Sequence, residues 1–534
     1  MTAVAPPITA APPGRRLPRA PAGLVAAAVL VIGPLTLPVI YLMVEAVRGG
    51  GGSTVLPAGR LVELTVNTLA LVAGVVVAST GIGLGTAWLT TRTDLTGARV
   101  WSTLAGLPLV IPSFVGALVL LGATGRQGIL SRLGETIGLG PLPIPRGYVG
   151  ALFALTMFTF PYVHLMATPA LRRLDPGLEE VARGLGASPG RVFRTVTMPQ
   201  IAPALRAAML LVALYTLADF GAVSLLGYDT FTRAIFLQYA GRLDRTPATV
   251  LAALLVVIAL VLIWWERRSR GRTVIPGGRT IRPHHRMPLT RRKRWLATGF
   301  LGLVVVASLV LPITVLVGWW LRGVAAGQAP VAILAETWRS LAVSGATALI
   351  AAAAALPVAI LTVRYRSRVG AWCESAAWSL YALPHLTIGL AVLLVGLTVV
   401  TPLYQTLSLL LFAYLIMFLP QALGPTQAGL ARVSPSLEEA SRSLGKTAFA
   451  TARRITVPLV GRGMLAGAGL VFLTTMKELP ATLLLRPTEF ETLAVRIWST
   501  TSEGFYTRAA VAALVLLAVS AIPLYLLVAR NAHE

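Results

Sequence analysis

Leu178-Glu-Glu-Val-Ala-Arg-Gly-Leu-Gly186 and, 259 residues further on, Leu437-Glu-Glu-Ala-Ser-Arg-Ser-Leu-Gly445 are two versions of one phrase. Each has an acidic first turn, which suits a helix N-terminus, then small residues, then a glycine that permits a left-handed cap. Pro176 and Pro435 fit a turn just before. Each phrase therefore reads as a short amphipathic surface helix. About ten residues later, Val196-Thr-Met-Pro199 and Ile455-Thr-Val-Pro458 restart a long apolar helix. The register runs from Leu171/Leu430 through Arg194/Arg453, Thr197/Thr456 and Pro199/Pro458, and on to Asp219/Glu478, Ala222/Ala481, Leu225/Leu484 and Phe231/Phe490. Shared hydrophobicity does not hold register across a loop and an apolar run together. The chain is a duplication, and both copies of the phrase lie on one side, so the repeat is parallel and implies a pseudo-two-fold axis.

Of the 534 residues, 56% are hydrophobic and 12% charged, where a soluble protein carries about 25% charge. Gly23–Val47, Leu251–Trp265 and Ala509–Val528 are long, nearly uncharged apolar stretches. Such lengths cross the roughly 30 Å hydrocarbon layer as helices, because backbone polar groups in lipid must be satisfied internally. The pattern predicts an all-α membrane protein of about twelve transmembrane helices. The spans are placed at 23–47, 64–91, 98–122, 147–170, 201–227, 246–265, 295–319, 338–363, 371–398, 404–427, 460–484 and 507–529. They group as a first six-helix half, 23–265, and a second, 295–534. Between them, 266–294 reads as a solvated basic linker, with a fit to anionic lipid headgroups as the alternative. Residues 1–22, rich in Pro and Ala with Arg15, Arg16 and Arg19, read as a disordered lead. The apolar run behind them is too long for a signal peptide, so an uncleaved anchor is expected.

The net charge is +26. With inward termini, and with Arg99, Arg339, Arg462 and Arg508 at the span ends counted to the adjoining segments, 31 Lys and Arg fall to the inner side and 13 to the outer, leaving Arg206 and Lys477 inside spans. That bias is the positive-inside rule, and it places both termini in the cytoplasm of a multi-pass inner-membrane protein. No aromatic-interleaved or folded basic domain is present, so nucleic acid is not an expected partner. Cys373 is the only cysteine, which excludes an intramolecular disulfide. His164, His284, His285, His385 and His533 show no metal-ligand spacing, and His164 and His385 read as core residues. Ala440-Ser-Arg-Ser-Leu-Gly-Lys-Thr447 fits a relaxed phosphate-loop pattern but has alanine for the first glycine and no strand before it. Gly81-Ile-Gly-Leu-Gly85 sits within a span, where it reads as helix packing rather than nucleotide binding. Asp219 and Glu478 occupy equivalent places in spans five and eleven. Acidic residues there are costly, about 2.5–3.5 kcal/mol each. They are candidates for lining a path to a hard cation or for holding the helices structurally.

The doubled Glu-x-Ala-x-x-x-Gly phrase, with Pro at fixed spacing after it, resembles the cytoplasmic signature of bacterial ABC importer permeases. Glu180, Ala182, Gly186 and Pro199 match in the first half. In the second, Glu439, Ala440, Gly445 and Pro458 match, with Ser441 in place of the second alanine. Leu107–Gly116, Ala218–Ala222, Lys477–Arg486, Leu493–Trp498 and Thr501–Gly504 are similar to fused permeases of ferric-iron importers. The resemblance implies the ABC importer permease fold and assigns Glu179, Glu438 and the matched residues to docking on a separate, homodimeric ATPase. It also implies a substrate-binding protein outside the membrane. ATP would be bound by the partner, so no cofactor is expected in this chain and no enzymatic activity; the metal-binding residues stay unknown. Thiamine, polyamine and sulfate permeases share this architecture, and an ion-coupled secondary transporter is the alternative of another class. Gly186→Asp or Gly445→Asp should abolish uptake while leaving membrane insertion intact, as measured by transport and membrane fractionation of the same cells.

Overall fold

The computed structural model describes residues 20–49, 57–125, 128–138, 144–241, 244–269, 286–328 and 333–532. Most of the expected leader, the centre of the linker, His284, His285 and His533 lie outside the described residues. Among the described residues the regular structure is helical, with one isolated parallel bridge between Thr93 and Met287.

In chain order, α1 (Ala22–Gly49) and α2 (Ala58–Arg92) lead to a pair, α3 (Ala98–Gly106) and α4 (Ser113–Thr124), joined by a 3-10 turn at Leu107–Val110. Then come α5 (Ile129–Thr136), α6 (Gly147–Arg172) and the short surface helices α7 (Pro176–Gly184) and α8 (Pro189–Val192). A π-turn, Phe193–Thr197, opens α9 (Met198–Ala218), which is followed by α10 (Gly221–Leu225), α11 (Phe231–Gly241) and α12 (Thr246–Ser269). Next, α13 (Arg291–Val305) and α14 (Leu311–Ala325) are joined by a π-turn at Val306–Val310. The order then repeats as α15 (Leu334–Val363), α16 (Arg368–Tyr381), α17 (His385–Thr398), α18 (Leu407–Arg432), α19 (Pro435–Ser443) and α20 (Ala448–Thr451). A third π-turn of the same length, Ala452–Thr456, opens α21 (Val457–Met476). Finally α22 (Pro480–Leu485), α23 (Leu493–Ser502) and α24 (Tyr506–Ala532) close the chain.

Ten helices among the described residues are long and apolar enough to cross a membrane, or eleven if α16 and α17, bent by 107°, count as one span. Four expected spans are not continuous. The spans at 98–122 and 371–398 break before Pro112 and Pro384, where proline removes an N–H and its ring disfavours helix in the residue before it. Those at 201–227 and 460–484 break at Asp219–Phe220 and Lys477–Leu479. The linker is also shorter than 266–294: α12 continues to Ser269 and α13 begins at Arg291. Just before α13, Met287 N donates to Arg92 O at 2.9 Å, and Asp94 holds Leu289 N at 2.8 Å and Arg294 at 2.7 Å.

Packing divides the chain into two units that do not follow the sequence halves. One contains α2 to α14 with the first turns of α24, Gly504–Leu514; there Trp319 stacks on Tyr506 at 5.3 Å and Thr507 donates to Gln328. The other contains α15 to α23 with α1, which packs on α15, α16 and α17. The first helix of each sequence half thus belongs to the packing unit of the other half. In α1 the reason is a single buried stripe, Ala28, Ile32, Leu35 and Leu42, opposite exposed Leu30, Leu37 and Ile40. One face seeks protein and the other suits lipid. Exposed tryptophans near helix ends, Trp264, Trp265, Trp295 and Trp338, match the interfacial belts of membrane proteins.

The core of the first unit is α2 against α6 and α9, with Leu71, Val75, Leu155, Val163, Leu205 and Val212 buried together. Close approach there depends on Gly83, where a Cβ would stand 2.5 Å from Val163 Cβ and 2.6 Å from Phe160 O. In the second unit α15, α18 and α21 pack through small residues, and a Cβ on Gly467 would stand 2.9 Å from Ala422 Cα. The glycine-spaced motif in α2 is thus a packing device at Gly83, while Gly81 has open space beside it. Gly83→Val should destabilise the protein by about 1–3 kcal/mol through overpacking, whereas Gly81→Ala should leave it unchanged. Thermal unfolding of the two variants in detergent checks this.

Candidate functional sites: two surface helices and two buried carboxylates

Local sequence shapes α7 and α19 as expected. Asp175 caps α7, its side chain accepting from Gly177 N at 2.9 Å, and Ser434 caps α19. Pro176 and Pro435 stand in the first turn, where the missing N–H leaves no bond unmade. Gly186 and Gly445 end the helices with φ of +82° and +77°, a conformation that strains any other residue. Ala187 N donates to Ala182 O at 3.0 Å and Lys446 N to Ser441 O at 3.2 Å, closing each cap.

The paired glutamates separate. Glu179 points inward, is buried, and forms an ion pair with Arg92 at the end of α2. It also accepts from Thr197 Oγ1 at 2.9 Å and lies 3.3 Å from Arg183. Glu438 repeats this, with Arg364 at 3.3 Å and Thr456 Oγ1 at 3.0 Å. By contrast, Glu180 and Glu439 are exposed, as are Gly186, Pro199, Ala440, Gly445 and Pro458, while Ala182 is half-buried. Around them lies an uncovered apolar ridge at i, i+3 and i+7: Leu178, Val181 and Leu185 on the first copy, the last 83% exposed. Leu437, Ala440 and Leu444 form its equivalent on the second, with Leu444 80% exposed. Arg442 bonds the Tyr365 hydroxyl at 3.4 Å, and that bond, reinforced by nearby Glu438 and Glu439, raises its pKa further above the usual arginine value.

Sequence comparison missed Arg92, Arg364 and Tyr365. The two arginines stand 272 residues apart rather than 259, so a single offset does not align them. The available signal was a basic residue at the same end of spans two and eight. The phosphate-loop-like segment is simply α19 and its cap, with Ala440 inside the helix. Beside Glu179, a cavity of about 610 Å³ is lined by Gly81, Gly85, Trp88, Phe193 and Thr197.

Asp219 and Glu478 sit at the breaks after α9 and α21, in different packing units. Asp219 Oδ1 accepts from Ala222 N at 3.0 Å and Val223 N at 3.3 Å, and Ser113 Oγ donates to Oδ2. Glu478 accepts from Ala481 N at 2.9 Å and Thr482 N at 3.0 Å, and the Thr482 hydroxyl bonds it too. Each carboxylate therefore caps the short helix after its own break. His385 Nδ1 lies 3.9 Å from Glu478, and Ser113 and His385 are both first residues of a restarted helix. Among the described residues, no three His, Cys, Asp or Glu converge. His164 is a satisfied core histidine, 3.0 Å from Thr86 Oγ1 and 3.1 Å from Ser102 Oγ.

Two bundles of apolar helices, each carrying an equivalent surface helix and an equivalent capped break, define a duplicated membrane transport subunit. The family model of the binding-protein-dependent transport system inner membrane component matches at 79–273 and again at 350–532, and the chain belongs to that family. It is 33% identical over 518 residues to the Fe(3+)-transport system permease protein FbpB 2 of Haemophilus influenzae, covering 96% of this chain and 99% of the relative. A ferric transport system permease protein, FbpB, of Actinobacillus pleuropneumoniae is 25% identical over 85% of this chain and 69% of its own length. A probable sulfate transport system permease protein, cysT, of Prototheca wickerhamii is 32% identical but over only 33% of this chain. The chain is thus a multi-pass inner-membrane permease built from two copies of one unit.

Glu478→Ala should strand two buried N–H groups and lower stability by about 1–3 kcal/mol. Glu478→Gln, which keeps an acceptor oxygen, should cost less. Unfolding midpoints of the purified variants measure the difference.

Proposed function

We propose that this chain forms the translocation path of an ATP-driven importer for ferric iron and is driven by a separate ATPase through α7 and α19. The observation that carries the coupling is the uncovered ridge Leu178/Val181/Leu185 and its counterpart Leu437/Ala440/Leu444. Each lies on a helix whose inner face is bonded down and whose outer face is not. An apolar ridge with exposed Glu180 or Glu439 beside it suits docking in a groove. Two equivalent ridges call for two equivalent grooves, which a homodimeric ATPase supplies. Glu179 and Glu438 hold the helices in place, and Glu180, Ala182, Gly186, Pro199, Glu439, Ala440, Gly445 and Pro458 form or shape the docking surface. Both termini and both ridges then face the cytoplasm, and a binding protein delivers substrate from the other side. ATP is bound and hydrolysed by the partner, not by this chain.

Support for ferric iron is the near-complete coverage of the Fe(3+) permease from Haemophilus influenzae, against the partial coverage of the sulfate permease. Asp219 and Glu478, occupied in capping, support a structural role over fixed iron ligation. A path with few ligands is consistent with transport, since binding in a pore must be weak enough to release.

Radiolabelled ferric iron should enter vesicles holding the permease, its ATPase and its binding protein, and excess thiamine, polyamine or sulfate should not compete. The pair Leu185→Asp and Leu444→Asp should cut recovery of the ATPase with the permease about tenfold or more, as expected for charges placed in an apolar contact. Full recovery would overturn the docking assignment.

A further inference from the structure

Glu179, which is buried, and Glu438, which is partly buried, are not part of the docking surface, yet each ties three elements together. Glu179 joins α7 to the last residue of α2 through Arg92 and to the π-turn at the start of α9 through Thr197. Glu438 joins α19 to the end of α15 through Arg364 and to the π-turn at the start of α21 through Thr456. The glutamates and threonines keep the 259-residue register, while the arginines arrive from a differently spaced element and still reach the same carboxylate. In the first copy the pair is nearly sealed, with side chains 3% and 4% exposed. Among the described residues Arg92 Nε and Nη1 have no hydrogen-bond partner, so this guanidinium relies on Glu179. In the second copy Arg364 Nη2 also donates to Val433 O at 2.9 Å, just ahead of α19.

We propose that Arg92 and Arg364 are positioning residues of the transport cycle: each closes a latch that makes the coupling helix move as one body with two spanning helices. The inference rests on the docking role proposed above. A short helix held only by loops would tilt under an applied force and pass little of it on. The latch removes that slack, because a buried charge cannot leave its partner without a large desolvation penalty. The threonine bond matters for a second reason. A π-turn holds one residue more than an α-turn, and its conversion would rotate the following helix by about 100°. Thr197 and Thr456 are the last residues of their π-turns, so the carboxylate fixes each turn at the point where α9 or α21 begins. With the latch broken, the ATPase still docks and hydrolyses ATP, but the spanning helices no longer follow.

The test uses the full complex of permease, ATPase and binding protein in vesicles, with ATP hydrolysis and uptake of labelled ferric iron measured in the same samples. Arg92→Met removes the charge and keeps the length. Thr197→Val combined with Thr456→Val keeps shape and cannot cost the fold a buried charge. Thr197→Ser combined with Thr456→Ser restores the hydroxyls. ATP hydrolysed per iron imported should rise roughly tenfold in the valine pair, the range of ordinary allosteric coupling energies. The ATPase should stay bound, and the serine pair should return to the parent ratio. An unchanged ratio overturns the latch, whether both activities persist or fall together, and so does release of the ATPase. If Arg92→Met fails to fold, the threonine pairs decide alone. A parent permease that does not retain the ATPase would instead refute the docking role, so the two failures are distinct.

Discussion

In a low-dielectric layer a backbone N–H without an acceptor costs several kcal/mol, and this constraint governs every departure from continuous helix in the protein. Breaks within spans would each strand several such groups. The chain places a carboxylate at two of them. Asp219 and Glu478 take the free N–H groups at the start of α10 and α22, which lets α9 and α21 end early and the path of the chain turn. At the other two breaks, proline stands at the bend and has no N–H to satisfy. Charge in the membrane is here a means of bending helices, and that explains why the acidic residues recur at the same place in each copy.

The same residue type does different work one position apart at the surface. Neighbouring residues on a helix point about 100° apart, so in each Glu-Glu pair one side chain faces the protein and the other faces solvent. Glu179 and Glu438 are ion-paired to the arginines behind the helix; Glu180 and Glu439 are exposed. A surface helix that is rigid underneath and uncovered above can receive force and transmit it. The long spans behind it pack at backbone-to-backbone distance through Gly83 and Gly467.

Much of the two surface helices was legible in sequence because they are built from local interactions. The caps at Asp175 and Ser434, the prolines of the first turns and the glycines at φ near +80° act within a few residues of one another. The breaks at Asp219 and Lys477 were not legible, since hydropathy runs unbroken through them. The inward turn of Glu179 was equally hidden, because its partner Arg92 is 87 positions away.

Sequence by itself determined that the chain crosses a membrane many times as helices, that it is a parallel duplication, and that each copy carries a capped surface helix. These follow from composition, periodicity and short-range stereochemistry. Tertiary structure alone decided that α1 and the start of α24 pack outside their own sequence halves. It alone decided that one glutamate of each pair is latched by a distant arginine, and that the intramembrane carboxylates cap helices. Apolar stripes do not name their partners, and a charge does not name its counter-charge; only the packed arrangement brings them within bonding distance.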